Sequence, residues 1–84
     1  MSHFPCPCCG NFTLNEISGG TFEICHVCFW EDDQIQLNYP DIAGGANKVS
    51  LKEARENYKR YGAIVERFVD KIRQPNKDEL PESR

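Results

Sequence analysis

The chain has 84 residues, of which ten are Lys or Arg, thirteen are Asp or Glu and five are Cys. This length allows one domain, whose apolar core alone supplies only about 3–5 kcal/mol of stability, so a further constraint is expected. No stretch approaches the roughly twenty apolar residues of a membrane span. Residues 1–30 also lack a basic segment followed by an apolar run. These features predict a soluble, cytoplasmic protein with no membrane partner.

Four cysteines follow the spacing Cys6-x2-Cys9-x15-Cys25-x2-Cys28. Two close pairs about fifteen residues apart are the ligand pattern of a tetrahedral, all-thiolate zinc site. The two intervening residues let each pair fold into a knuckle that brings both sulfurs to about 2.3 Å from one metal. We therefore predict one structural Zn²⁺. Because such sites bind zinc with an apparent free energy on the order of 10–16 kcal/mol, the metal should supply much of the folding free energy.

The fifth cysteine, Cys8, falls at the variable position of the first knuckle. We expect it to be a spare thiol that points away from the metal, because the x2 spacing is already satisfied. The alternatives are a redox-sensing or ligand-exchanging thiol, or a replacement for one of the four ligands. His3 or His26 could also substitute as a ligand, but four thiolates already fill the shell of a structural zinc. A disulfide framework fits an odd number of cysteines poorly, and neither CxxC pair has the βαβ context of a thioredoxin-like motif.

Between the knuckles, residues 12–14 and 22–24 alternate apolar and polar side chains, the period of short half-buried strands. Gly19-Gly20 lies in the turn region between them. This order predicts a zinc ribbon over residues 5–30, in which the two strands form a hairpin. The Phe and Ile side chains of both strands are expected to form its small core, with an exposed base-stacking surface as the alternative.

Residues 31–49 are predicted to form an acidic, glycine-containing loop, which begins with three consecutive carboxylates. A solvated connection is one interpretation. The other is a recognition surface for a basic partner or a hard cation, built from Asp32, Asp33, Asp41 and Asn47. A nucleotide site is not expected, because Gly44-Gly45 is too short and lacks the lysine of a phosphate-binding loop.

Residues 50–74 are predicted to be helical. Ser50 and Glu53 form a capping box, so a helix should begin at Leu51. Apolar residues continue at helical spacing to Ile72 and stay in phase across Gly62. One kinked helix and a helix pair are both compatible with this stripe, and the helical cost of glycine favours a break at Gly62. Pro75 ends the segment, and residues 76–84 are predicted to be a flexible tail.

Together these elements predict a single α+β domain over residues 1–75, in which the C-terminal helix or helix pair packs on the N-terminal zinc ribbon. The apolar stripe is expected to dock on the ribbon and to cover Phe29 and Trp30. A helix-pairing surface in a homodimer is the alternative.

Charge divides the chain into two halves. Residues 1–47 contain six acids and no Lys or Arg, whereas residues 48–84 contain ten bases and seven acids. Four thiolates around Zn²⁺ add a charge of about −2 to the first half. This ribbon should therefore repel phosphate, and a nucleic-acid partner is not expected. The prediction is a small zinc-binding module that acts through contact with another protein.

Two other function classes are retained. A metal-dependent or thiol enzyme would use the carboxylates of Glu31–Asp41, or Cys8 with a histidine base, because four cysteines close the shell around zinc. A nucleic-acid-binding zinc ribbon is the second alternative. The sequence contains no catalytic motif that supports the enzyme.

Longer runs of residues resemble a known family. FPCPCCG at residues 4–10 and CHVCFWEDD at residues 25–33 are followed by PD at 40–41, GGAN at 44–47, SL at 50–51 and EAR at 53–55. This combination resembles the cysteine-rich CPCC family of small, mainly bacterial proteins, over residues 4–63. The resemblance implies that the segment from Glu31 to Asn47 is part of the family's identity. It implies no particular activity.

Overall fold

The computed structural model describes residues 3–83 of the protein. Two short strands, β1 (Phe4–Pro5) and β2 (Phe12–Leu14), are followed by two helices, α1 (Gln34–Asn38) and α2 (Leu51–Tyr61). Within the described residues, three single-turn 3₁₀ helices follow, at Glu66–Phe68, Lys77–Glu79 and Pro81–Ser83. The α+β class is therefore confirmed. Within residues 3–83, no helix has the length and apolar character needed to cross a membrane.

The hairpin encloses the first knuckle instead of connecting the two knuckles. Strands β1 and β2 pair antiparallel, with Phe4 opposite Leu14 and Pro5 opposite Phe12, and the register shifts between Phe4 and Pro5. The predicted pairing of residues 12–14 with residues 22–24 is therefore wrong. An alternating pattern marks an extended segment but does not specify its partner.

The second extended segment pairs with the chain that leaves the second knuckle. Ile24 forms an isolated antiparallel bridge with Glu31. The N–H of Phe22 donates to the carbonyl of Asp32, and the N–H of Asp32 donates to the carbonyl of Glu23, each at 2.9 Å. Phe22 is 61% exposed and Ile24 is 37% exposed, so neither contributes to the core that the sequence predicted for them. Each knuckle is thus closed by its own local antiparallel pair.

The core is built around the cysteines. Trp30, Leu14 and Val27 are buried against them, and α2 contributes Leu51 and Ala54. Trp30 is 1% exposed, as expected for a residue covered by the C-terminal half. The apolar stripe of α2 is therefore used inside the molecule.

Both ends of α2 lie where the sequence predicted them. The Ser50 hydroxyl oxygen accepts a hydrogen bond from the Glu53 N–H at 3.1 Å. Gly62 has φ 82°, and its N–H donates to the carbonyl of Tyr58. This left-handed cap favours glycine, because a side chain at positive φ crowds the backbone.

The predicted second helical segment, over residues 63–74, is wrong. Val65 is extended, with φ −145° and ψ 156°, and only Glu66–Phe68 forms a 3₁₀ turn. The Ile64 N–H donates to the carbonyl of Cys28 at 2.9 Å, and the Arg73 N–H donates to the carbonyl of His26 at 3.1 Å. Because these two backbone N–H groups bond to the second knuckle, they are not available for hydrogen bonds within a helix.

Residues 76–83 form two single turns next to an ion pair. The guanidinium of Arg73 donates two hydrogen bonds to the carboxylate of Glu79, at 2.8 and 2.9 Å. This contact lowers the pKa of Glu79 below its usual value. The flexibility of this tail and a domain boundary at residue 75 stay predictions.

The segment from residue 31 to residue 49 contains α1 and a buried amide network. The Gln36 side chain is 1% exposed. Its Nε2 donates to the carbonyls of Ile42, Asn47 and Val49, at 3.0, 3.1 and 3.0 Å. Its Oε1 accepts from the backbone N–H and the side-chain amide of Asn47, at 3.1 and 3.0 Å. One side chain thus substitutes for the regular backbone pairing that this segment lacks.

We predict that Gln36→Ala lowers the free energy of unfolding by about 2–4 kcal/mol, because several buried carbonyl and N–H groups lose their partners. Gln34→Ala is the matched control: Gln34 is the same residue type in the same helix, it is exposed, and its side chain bonds to Asn38. It should change stability little. Urea denaturation of the metal-loaded protein measures both, and equal losses would contradict the network's role.

Candidate metal centre

The first knuckle has the backbone geometry expected of a metal-binding turn. The Cys8 N–H points at the Cys6 sulfur at 3.4 Å, and the Gly10 N–H donates to the Cys6 carbonyl at 2.8 Å. Gly10 has φ 79°, the positive value that allows the chain to leave the turn. A backbone donor aimed at a ligand sulfur partly offsets the charge of the thiolate.

The second knuckle repeats this geometry with a phenylalanine at the position equivalent to glycine. The Phe29 N–H donates to the Cys25 carbonyl at 2.7 Å, and Phe29 has φ 76°. A left-handed backbone costs a non-glycine residue roughly 1–2 kcal/mol. The Phe29 ring packs on Phe68, with the ring centroids 4.7 Å apart. Contact with the C-terminal segment therefore offsets backbone strain in the knuckle.

The four predicted ligands come together at one point. The sulfurs of Cys6 and Cys28 are 3.6 Å apart, those of Cys9 and Cys25 are 3.8 Å apart, and all four lie within 4.8 Å of one another. Four sulfurs at about 2.3 Å from one tetrahedral metal would be about 3.8 Å apart. All five cysteines are free thiols. The cluster can thus hold one metal ion.

Neighbouring groups shift the acidity of the clustered thiols in opposite directions. The Thr13 hydroxyl lies 3.0 Å from the Cys25 sulfur. Contacts among the thiols raise the pKa of Cys28, chiefly through Cys25, and lower the pKa of Cys25, chiefly through Cys28. A divalent metal requires all four groups as thiolates, so its binding should release protons and weaken as the pH falls.

Cys8 lies beside the cluster but outside it. It is 8% exposed and belongs to the buried apolar core around the cluster. Burial of this kind disfavours a reactive thiol. His26 is exposed, and neither His3 nor His26 belongs to the cluster.

The acidic segment does not form a second metal centre in the structure. Among residues 3–83, the four cysteines are the only group of three or more His, Cys, Asp or Glu side chains positioned to hold one metal. The carboxylates of Glu31–Asp41, which the sequence suggested for a second centre, do not converge.

Asp32 is an internal anchor. It is fully buried, at 0% exposed. Its Oδ2 accepts hydrogen bonds from the N–H groups of Gly19, Gly20 and Thr21, at 2.8, 3.1 and 2.9 Å, and from the Thr21 hydroxyl at 2.8 Å. The predicted recognition role of Asp32 is therefore wrong, because its lone pairs are used to shape residues 19–21.

Asn47 is also internal, at 4% exposed. Its Oδ1 accepts from the Glu31 N–H at 2.9 Å, and its Nδ2 donates to the Glu31 carbonyl at 2.8 Å. Asp33 caps α1, and hydrogen bonds from the N–H groups of Ala46 and Gln36 lower its pKa. Asp41 is exposed. The predicted surface of four polar residues is not formed, because two of them are buried and one is a helix cap.

Helix α2 docks directly on the first knuckle. The Asn11 side-chain amide donates to the Tyr58 hydroxyl at 3.1 Å, and Arg55 Nε donates to the Pro7 carbonyl at 3.0 Å. Burial raises the pKa of Tyr58. The contacts of α2 with the first knuckle and of residues 64–73 with the second hold the two knuckles together from outside.

The fold and the site define a small metal-binding module whose centre is a cluster of four cysteines from two knuckles. The model of the family described as Cysteine-rich CPCC matches residues 4–79, and the chain therefore belongs to this family. The match extends beyond residue 63, where the resemblance read from the sequence ended. No curated protein matches the chain.

We predict that each of Cys6→Ser, Cys9→Ser, Cys25→Ser and Cys28→Ser abolishes stoichiometric metal binding and the native fold, since each removes one of the four predicted ligands. Cys8→Ser should retain both. Elemental analysis and circular dichroism of the five variants check this. Equal metal loss in Cys8→Ser would show that the ligand set is wrong.

We further predict that Asp32→Asn lowers the free energy of unfolding by about 1–3 kcal/mol, because an amide can place an N–H group against backbone donors. It should also accelerate metal release to a chelator, since the backbone of Asp32 pairs with the extended segment at residues 22–24, which leads into the second knuckle. Asp41→Asn, the same change at an exposed carboxylate, is the control and should alter neither the stability nor the rate of metal release. Denaturation and chelator kinetics on the two variants are the measurements.

Proposed function

We propose that this protein is a structural zinc module that presents a rigid surface to another protein. The observation that supports the metal is the placement of four sulfurs at tetrahedral spacing, three of them no more than 1% exposed, inside the only apolar core found within residues 3–83. A site at the centre of the core stabilises the fold in which it lies.

Zinc is the metal that this ligand set favours. A tetrahedral set of four sulfurs is typical of Zn²⁺ or of iron. Four thiolates fill the zinc shell and leave no open position for a substrate or water. A structural role follows from a closed shell, and any catalysis would need a second centre.

The surface supports protein contact. Large apolar side chains are exposed at several positions, led by Ile17 at 71%, Phe22 and Tyr39 at 61% each, and Ile35 at 60%. Ile35 and Tyr39 are four residues apart on and just after α1, so they lie on one side of it. Hydrogen bonds of Asp32, Asp33 and Gln36 hold the segments that carry these side chains. A preordered apolar surface loses little entropy on binding.

We predict one tightly bound zinc per chain in protein purified without added metal, measured by elemental analysis and native mass spectrometry. Removing it with a chelator should abolish the cooperative thermal transition, because the core is built on the cluster. A colourless protein with one zinc supports the proposal. Two metals per chain, iron, or an unchanged transition after zinc removal would contradict it.

A further inference from the structure

We propose that the contact surface pairs two copies of this chain, with a loop of each copy seated in a groove of the other. The inference rests on the protein-contact role proposed above and specifies the partner. The docking loop is defined as residues 17–22. The groove is lined by Ile24, Phe29, Val49, Ile64, Val65 and Phe68.

The docking loop is rigid although its apolar side chains are exposed. Ile17 and Phe22 are 71% and 61% exposed. Between them, the N–H groups of residues 19–21 all bond to the buried carboxylate of Asp32. The buried carboxylate thus fixes the backbone between two apolar side chains that stay in contact with solvent. A surface of this kind is suited to docking.

Phe22 has the properties of an anchor residue. Its φ of 59° lies in the left-handed region, where an aromatic residue is strained. The bond from its N–H to the Asp32 carbonyl holds it there. Local strain of this kind marks functional positions, and exposed aromatic residues supply a large share of interface energy.

The groove suits a side chain better than a small-molecule ligand. Its volume is about 210 Å³, below the roughly 300–1,000 Å³ of ligand pockets. It lies where the second knuckle meets residues 46–49 and residues 64–68, and its walls are mostly apolar. An aromatic ring from outside would extend the stack of Phe29 on Phe68.

The charges of the loop and the groove are complementary. Lys48 and Arg67 are exposed at the groove, and Glu31, which also lines it, is half-buried. The docking loop is flanked by Glu16 and Glu23, in a half of the chain that has no Lys or Arg. The acidic residues beside the loop of one copy therefore meet a net basic groove on the other, which steers and orients the encounter.

Loop and groove lie close enough for reciprocal pairing. Ile24 lines the groove and is two residues from Phe22 in the chain, and we place both elements on one face of the molecule. A two-fold axis beside this face places each loop at the other groove, which closes a dimer instead of propagating a filament.

The test is the concentration dependence of mass for the zinc-loaded full chain, by analytical ultracentrifugation. We expect a monomer–dimer equilibrium in which Phe22→Asn raises Kd at least about tenfold, the loss expected for an interface hot spot. Asn tolerates positive φ, so this variant should retain its zinc and its thermal transition. Ile42→Asn, at an exposed apolar residue outside both the loop and the groove, is the control and should dimerise as the wild type does.

A mixing experiment identifies the two complementary surfaces. The double variant Lys48→Glu/Arg67→Glu should also be monomeric, because its groove repels the acidic residues beside the loop of the other copy. Mixed with Phe22→Asn, it should form a heterodimer in native mass spectrometry, since one intact loop then meets one intact groove. A wild-type chain that stays monomeric at the highest attainable concentration, or a dimer unaffected by Phe22→Asn, would overturn the proposal. A zinc-loaded monomer would leave the structural-zinc role intact and require a different protein partner.

Discussion

The convergence of four sulfurs on one point is the constraint on which the rest of the structure depends. The apolar core is organised around Cys6, Cys25 and Cys28, and the later parts of the chain bond to the backbone of the two knuckles. Arg55 contacts the Pro7 carbonyl, and the backbone of Ile64 and Arg73 contacts the second knuckle. A chain of this length buries too little apolar surface to hold such irregular segments by packing alone. The metal centre and the knuckle carbonyls around it give these segments a common attachment.

Buried polar side chains are the second means by which irregular backbone is ordered. Asp32, Gln36 and Asn47 are each at most 4% exposed, and each bonds to backbone groups of a neighbouring segment. Their function resembles that of a β-sheet, which would satisfy the same groups by pairing strands. Unlike a β-sheet, each of these side chains fits only one local backbone geometry. A substitution therefore leaves several backbone N–H or carbonyl groups without a hydrogen-bond partner.

The sequence was most informative where chemistry imposes spacing. The convergence of the four cysteines, the Ser50 cap and the Gly62 cap could be predicted because each depends on local residue spacing. The partner of residues 22–24 could not, because alternation carries no information on pairing. The apolar residues through Ile72 have helical spacing, which predicted a helix beyond Gly62. The backbone N–H groups of residues 64 and 73 bond to the second knuckle instead, and local periodicity carries no information on such long-range bonds. The anchoring role of Asp32 had one signal: Gly19-Gly20-Thr21 offers three successive N–H groups that need an acceptor.

All four ligands lie within the first 28 residues, whereas the segments that enclose them begin at residue 31 and continue to residue 73. During synthesis the nascent chain therefore presents a complete set of thiols before α2 or the turn at Glu66–Phe68 exists. Metal capture can precede helix docking, and Phe68, which packs on Phe29, is synthesised after α2. The contact that offsets strain in the second knuckle thus becomes possible only after α2 has been synthesised. The order of translation matches an assembly in which the centre forms first and its cover follows.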